Sequence, residues 1–113
     1  MRYRSTRGGS SVSFSEAVAQ GLAPDGGLYL PEEFPDLSSH LEAWADLDYP
    51  SLCTEFFRYF ATDLSMDDLE YCVHSAYAKF SNKLTAPFHE LSDHWKCLEL
   101  FHGPTLAFKD FAL

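Results

Sequence analysis

Apolar positions along the chain switch between two periods, and the switch points mark its elements. Tyr3–Thr6 alternates like a short strand, and Gly8-Gly9-Ser10 follows as a turn. Ser13-Phe-Ser-Glu16 has capping-box spacing: the Ser13 hydroxyl can accept from the Glu16 amide while the Glu16 carboxylate reaches back. This predicts a helix over 14–20 that stops at Gly21. Ala23-Pro-Asp-Gly-Gly27 is turn chemistry, and Leu28–Leu30 reads as a strand closed by Pro31.

From Pro31 the period becomes helical. Ser38 or Ser39 is placed to cap a short helix carrying Leu41 and Trp44, and Pro50 suits the first position of the next helix. There Leu52, Phe56, Tyr59 and Phe60 fall at i, i+4, i+7 and i+8, one apolar face. Ser65 caps a further helix, with Asp68 suited to its amino end. Leu69, Val73, Ala76, Tyr77 and Phe80 form its stripe, and Asn82 or Lys83 ends it. Both stripes read as core.

After Pro87 the period shortens again. Residues 87–91 and 95–101 read as strands separated by Ser92-Asp-His94. A His102-Gly-Pro104 turn follows, and a helix restarts at Thr105 with Lys109 in its first turn, between Phe108 and Phe111. The fold class is mixed α/β (α+β). Residues 1–91 form a small amino-terminal domain of short strands and several helices. Residues 92–113 form the beginning of a second, larger unit.

Lys109 is the residue with the most chemistry to offer. Aromatic neighbours that hold a lysine away from water disfavour its charged form, and the neutral amine is the nucleophile that forms a Schiff base. Taken alone, though, it reads as an ordinary helix-surface lysine. His102 reads either as a strand-end hydrogen bonder or as a contact to cofactor or substrate, and Thr105 as a helix cap or such a contact; the cap is the stronger reading for Thr105. Asp110 reads either as support for the lysine segment or as an acid favouring the helix amino end, and it stays unassigned. Three of the four arginines, Arg2, Arg4 and Arg7, crowd the first seven residues. They suit the exposed side of an edge strand, with Arg7 retained as a candidate anion contact. His89 and His94 are five apart in a strand and turn, which is not the i, i+4 spacing of a helical zinc site.

Composition narrows the class. With 113 residues, 46% hydrophobic and 16% aromatic content, the chain suits one globular unit. A net charge of −9 argues against nucleic acid or an anionic membrane as the main partner. Cys53, Cys72 and Cys97 are odd in number and far apart, which reads as reduced, buried thiols. No run approaches the roughly 20 apolar residues of a membrane span, and no apolar segment follows the basic start as a signal peptide requires. The expected compartment is the cytoplasm.

Four blocks in order carry a resemblance: Tyr3-Arg-Ser-Thr-Arg-Gly8, Phe14-Ser-Glu-Ala-Val18, Gly21-Leu-Ala-Pro-Asp-Gly-Gly-Leu-Tyr-Leu-Pro31, and Glu99-Leu-Phe-His-Gly-Pro-Thr-Leu-Ala-Phe-Lys-Asp110. Together they resemble threonine synthase, a pyridoxal-phosphate enzyme of fold type II. The resemblance implies that Lys109 carries the cofactor as a Schiff base and shuttles protons. It implies a parent enzyme that turns O-phospho-L-homoserine and water into L-threonine and phosphate, and that residues 92–113 begin its cofactor domain. The glycine-rich phosphate loop of that fold is expected well downstream of the lysine, so the sequence reads as an amino-terminal fragment, inactive alone, with no retained cofactor. Two rivals stand beside this. One is a threonine-synthase-like phospholyase. The other is a non-enzymatic interaction module that docks or self-associates through an exposed 95–113 tail including Leu98, Leu100, Phe101, Leu106, Phe108 and Phe111.

Overall fold

In the computed structural model, which describes residues 1–112, short strands and several helices alternate as the mixed pattern requires. Strand β1 (Tyr3–Ser5) pairs antiparallel with β2 (Tyr29–Pro31), Arg4 facing Leu30. Tyr3 also bridges Val12 on its other side, with both N–H···O distances 2.9 Å, so β1 is covered on both edges. Pro31 lies inside β2 rather than closing it, and Leu28 bridges Leu22 instead. A proline is tolerated there because β2 is an edge strand.

Helix α1 (Phe14–Gln20) begins with the expected capping box: the Glu16 amide donates to Ser13 Oγ at 3.2 Å, and the Ser13 amide donates to Glu16 Oε2 at 2.8 Å. The Asp25 carboxylate ties the following turn back to β1, accepting from Ser5 Oγ at 2.7 Å and from the Gly27 amide at 2.9 Å. A Cβ at position 27 would collide with Ser5 Oγ, so the second glycine of Asp-Gly-Gly is set by close approach.

The middle of the chain departs from expectation in three ways. First, neither Ser38 nor Ser39 caps a helix. The turn Ser38–His40 is a 3-10 turn leading into α2 (Leu41–Trp44), and the Ser38 amide donates to Asp36 Oδ1 at 2.9 Å. The start is an Asx turn, in which the acceptor lies two residues upstream. Trp44 is buried but Leu41 is exposed. Second, α3 (Tyr49–Phe57) is capped by Asp48, puts Pro50 one place past its first residue, and ends before Tyr59 and Phe60. The helical period stops at Phe57, so the predicted face dissolves: Phe56 is exposed, while Cys53 and Thr54 are buried. Third, α4 (Met66–Tyr77), capped by Ser65, ends short of Asn82; it buries Leu69 and Val73 but leaves Ala76 exposed.

Helices α3 and α4 pack together around Cys53, Ala61, Leu69 and Val73, with Phe14, Tyr49, Phe57, Leu64 and Tyr77 at the margin. Phe14 carries the sheet onto this core, 5.8 Å from the Tyr3 ring and 6.4 Å from Phe57. The thiol expectation holds for one cysteine only: Cys53 is buried, whereas Cys72 and Cys97 are exposed, and all three are free. Cys72 falls on the solvent side of α4 and Cys97 on an open hairpin.

That hairpin pairs β3 (Phe88–Ser92) with β4 (Trp95–Leu98), with a bulge between Glu90 and Ser92. Every residue of both strands is exposed. The second strand stops at Leu98 rather than Phe101, and the hairpin lies across the expected division at 91/92.

Candidate active site

The segment from Glu99 to Phe111 is held by side-chain ties at both ends. At its start, His102 Nε2 lies 2.6 Å from Glu99 Oε2, both side chains being half-buried, and His89 Nδ1 lies 4.0 Å from the other Glu99 oxygen. The His102 carbonyl accepts from the Ser81 amide at 2.9 Å and from Ser81 Oγ at 3.1 Å. Residues 82–101 therefore leave the body and return to the same point.

Gly103, Pro104 and the residues to Phe108 form turns, not helix. Helix α5 (Lys109–Ala112) begins only at Lys109. This corrects the expected helix start at Thr105, and with it the cap. A cap hydroxyl accepts, whereas the Thr105 hydroxyl donates to Asp110 Oδ1 at 2.8 Å and its amide donates to Asp110 Oδ2 at 2.9 Å. Leu106, inside this loop, sits in the left-handed region with φ +59°.

Lys109 is exposed, and so is Phe108, at 63%. The expected aromatic shelter does not form within the described residues. Phe111 turns away from the lysine into a cage of Phe80, Tyr49 and Tyr77, with ring separations of 5.0, 5.8 and 6.4 Å. Two positions along a helix are about 200° around its axis, so the two side chains leave opposite sides. Burial raises the phenol pKa values of Tyr49 and Tyr77 and the thiol pKa of Cys53 behind this cage. The tail is thus anchored on its own chain through Phe111, while Leu106 and Phe108 remain open.

Lys109, Thr105 and Asp110 line one cleft of about 530 Å³ with Ser75 of α4 and with Lys79 and Phe80 just past its end. That volume lies in the range of small-molecule sites. Neither His102 nor Arg7 lines it. Arg7 donates to the Asp25 carbonyl at 3.1 Å, Arg4 pairs with Glu32 at 2.7 Å, and Arg2 reaches the Ser11 carbonyl. These three arginines tie the first sheet together. Among the described residues no group of three or more His, Cys, Asp or Glu side chains converges to hold a metal ion, and no helix is long and apolar enough to cross a membrane.

The sequence did not point to Lys79, Ser75 or Ser81, because each meets the tail across a long loop. Asp110 left a faint trace, an acid five residues after a Gly-Pro-Thr turn. No local rule reads such a spacing.

The family described as the threonine synthase N terminus matches residues 2–77, more than half of the chain. The chain belongs to this family. Threonine synthase of Schizosaccharomyces pombe is 47% identical over 98% of the chain, which spans 22% of that protein. Threonine synthase of Pseudomonas aeruginosa is 41% identical over the whole chain and 25% of its own length. The solved structure of PLP-bound threonine synthase from Brucella melitensis superposes with a TM-score of 0.93 at 39% identity, over 99% of this chain and 25% of that one. The chain spans about a quarter of the length of the threonine synthases it matches.

Proposed function

We propose that this chain is the amino-terminal part of a threonine synthase that converts O-phospho-L-homoserine and water into L-threonine and phosphate, and that Lys109 is its cofactor lysine. The observation that carries this is the placement of Lys109. It offers an exposed amine at a ligand-sized cleft, on a backbone tied down on both sides, in a chain that aligns over 99% of its length with a PLP-bound threonine synthase.

The residues present fit one half of a pyridoxal-phosphate site. An open primary amine is the group the cofactor's aldehyde requires, and Lys79 brings a second cation to the same cleft. Among the described residues no glycine-rich loop opening a helix lines that cleft, so in this proposal the cofactor's phosphate is held by residues of the fold type II domain outside this chain. When bound, the cofactor supplies an electron sink. Lys109 Nζ would hold it in place and would be the group that takes and returns protons at the neighbouring carbons. Thr105 and Asp110 fix the loop from which Nζ projects. Residues 1–91 serve as the amino-terminal domain and residues 92–113 begin the catalytic one, with the β3–β4 hairpin bridging them. The chain alone is inactive in this proposal, since among the described residues the cleft is lined from one side only, by the α4 end and the tail. Three unpaired thiols suit the cytoplasm.

Borohydride reduction of the full-length polypeptide with pyridoxal phosphate, followed by peptide mass mapping, tests the assignment. The expected result is a pyridoxyl adduct on Lys109. An adduct confined to Lys79, Lys83 or Lys96, or no adduct, overturns it.

A further inference from the structure

We propose that Asp110 is a positioning residue for Lys109, closing the turn before it into a rigid loop that sets where the lysine amine points. The proposal rests on Lys109 being the cofactor lysine, and it adds a residue whose role neither its sequence position nor the family match assigns.

Three observations converge on this carboxylate. Both of its oxygens are used by one residue, Oδ2 accepting from the Thr105 amide at 2.9 Å and Oδ1 from the Thr105 hydroxyl at 2.8 Å. A two-point tie of this kind fixes orientation as well as distance, and a charged acceptor makes each bond stronger than a neutral one. Next, the carboxylate lies against Gly103, where a Cβ would come within 2.7 Å of Asp110 Cγ; only glycine lets the loop close. Finally, the loop between the two partners contains Leu106 at φ +59°, a conformation a leucine avoids unless its surroundings hold it there.

Lys109 is the residue just before the clamp, and Phe111, just after it, is pinned among Tyr49, Tyr77 and Phe80. The lysine backbone is therefore restrained from both directions, while its side chain is exposed. Rigid at the base and free at the tip is the arrangement a covalent tether needs, because a small misplacement of the reacting group is costly in rate.

The test uses the full-length polypeptide loaded with pyridoxal phosphate, as wild type, Asp110→Ala and Thr105→Val. The second variant keeps the volume and the amide and removes one donor, so it remains informative if the first fails to fold. Visible-region circular dichroism per bound cofactor reads how firmly the cofactor is oriented, and steady-state kinetics separate kcat from KM. The expected result for D110A is retained borohydride labelling at Lys109, visible dichroism at least about halved, and kcat lowered about 10-fold or more with KM changed by less than about threefold. T105V shifts the same quantities in the same direction by less. Dichroism and kcat at wild-type level in the folded variants, with Lys109 still labelled, overturn the positioning role and leave the cofactor lysine standing. A wild type that does not label at Lys109 overturns both.

Discussion

Trp44 and Trp95 are the only two tryptophans in the chain, and their surroundings could hardly differ: the first is 8% exposed, the second 71%. Leu69 and Leu91 repeat the contrast at 5% and 65%. One member of each pair lies in the helical unit and the other in or beside a strand of the β3–β4 hairpin. Both regions show a clear apolar pattern, yet only the helices bury theirs. Two helices cover each other's stripes, with Phe14 bringing the sheet across as a lid. A hairpin of two strands has no third layer to lie against, and such hairpins are marginal on their own. Pattern decides the kind of element, and burial depends on having a partner.

The contrast can be broken most forcefully at the tail. On the proposed function, Lys109→Arg in the full-length polypeptide keeps the charge but removes the amine that would form the Schiff base. It is expected to lower kcat by about 10³-fold or more in a threonine-formation assay. Full turnover by this variant would reduce the whole tail to packing.

Next comes the core. Leu69→Ala is expected to cost about 2–5 kcal/mol by urea denaturation, the range for a buried leucine. Leu91→Ala on the hairpin should stay within about 0.5 kcal/mol, as exposed substitutions do. Equal losses at the two sites would mean that the hairpin is covered after all. Ser13→Ala removes the acceptor of the capping box and is expected to cost about 1 kcal/mol in the same experiment.

The smallest effect is electrostatic. Asp63 accepts from the hydroxyl and the amide of Ser15. The hydroxyl first, and the amide with it, hold its carboxyl at about 2 against an ordinary value of 3.8, overcoming slight burial. A depressed acid stabilises the fold above its unfolded pKa and loses that contribution as pH falls through the folded one. Thermal unfolding should show Asp63→Asn below wild type at neutral pH, with the gap closing between about pH 4 and pH 2. A gap independent of pH would remove the electrostatic account.

What could be read in advance follows the range of each interaction. Ser13 and Glu16 satisfy each other within four residues, so their box is legible on the page. Ser65 is equally local. The α3 face failed because nothing in the residues around Phe57 announces a stop: there is no glycine or proline, and the period runs on past the true end. The start of α5 failed because a Gly-Pro-Thr sequence suits a cap. Here the threonine is instead committed to a carboxylate five residues on, and the helix waits until Lys109. Phe108 and Phe111 both flank the lysine in the sequence, and the cage of Tyr49, Tyr77 and Phe80 separates their fates.

The carbonyl of His102, gripped twice by Ser81, has a practical corollary. Because the excursion is pinched at its neck, changes at its tip around Asp93 are separated from the lysine segment by the Ser81–His102 contact. An engineer could lengthen or shorten the turn between β3 and β4 while Glu99, His102 and the lysine kept their places beside the fourth helix.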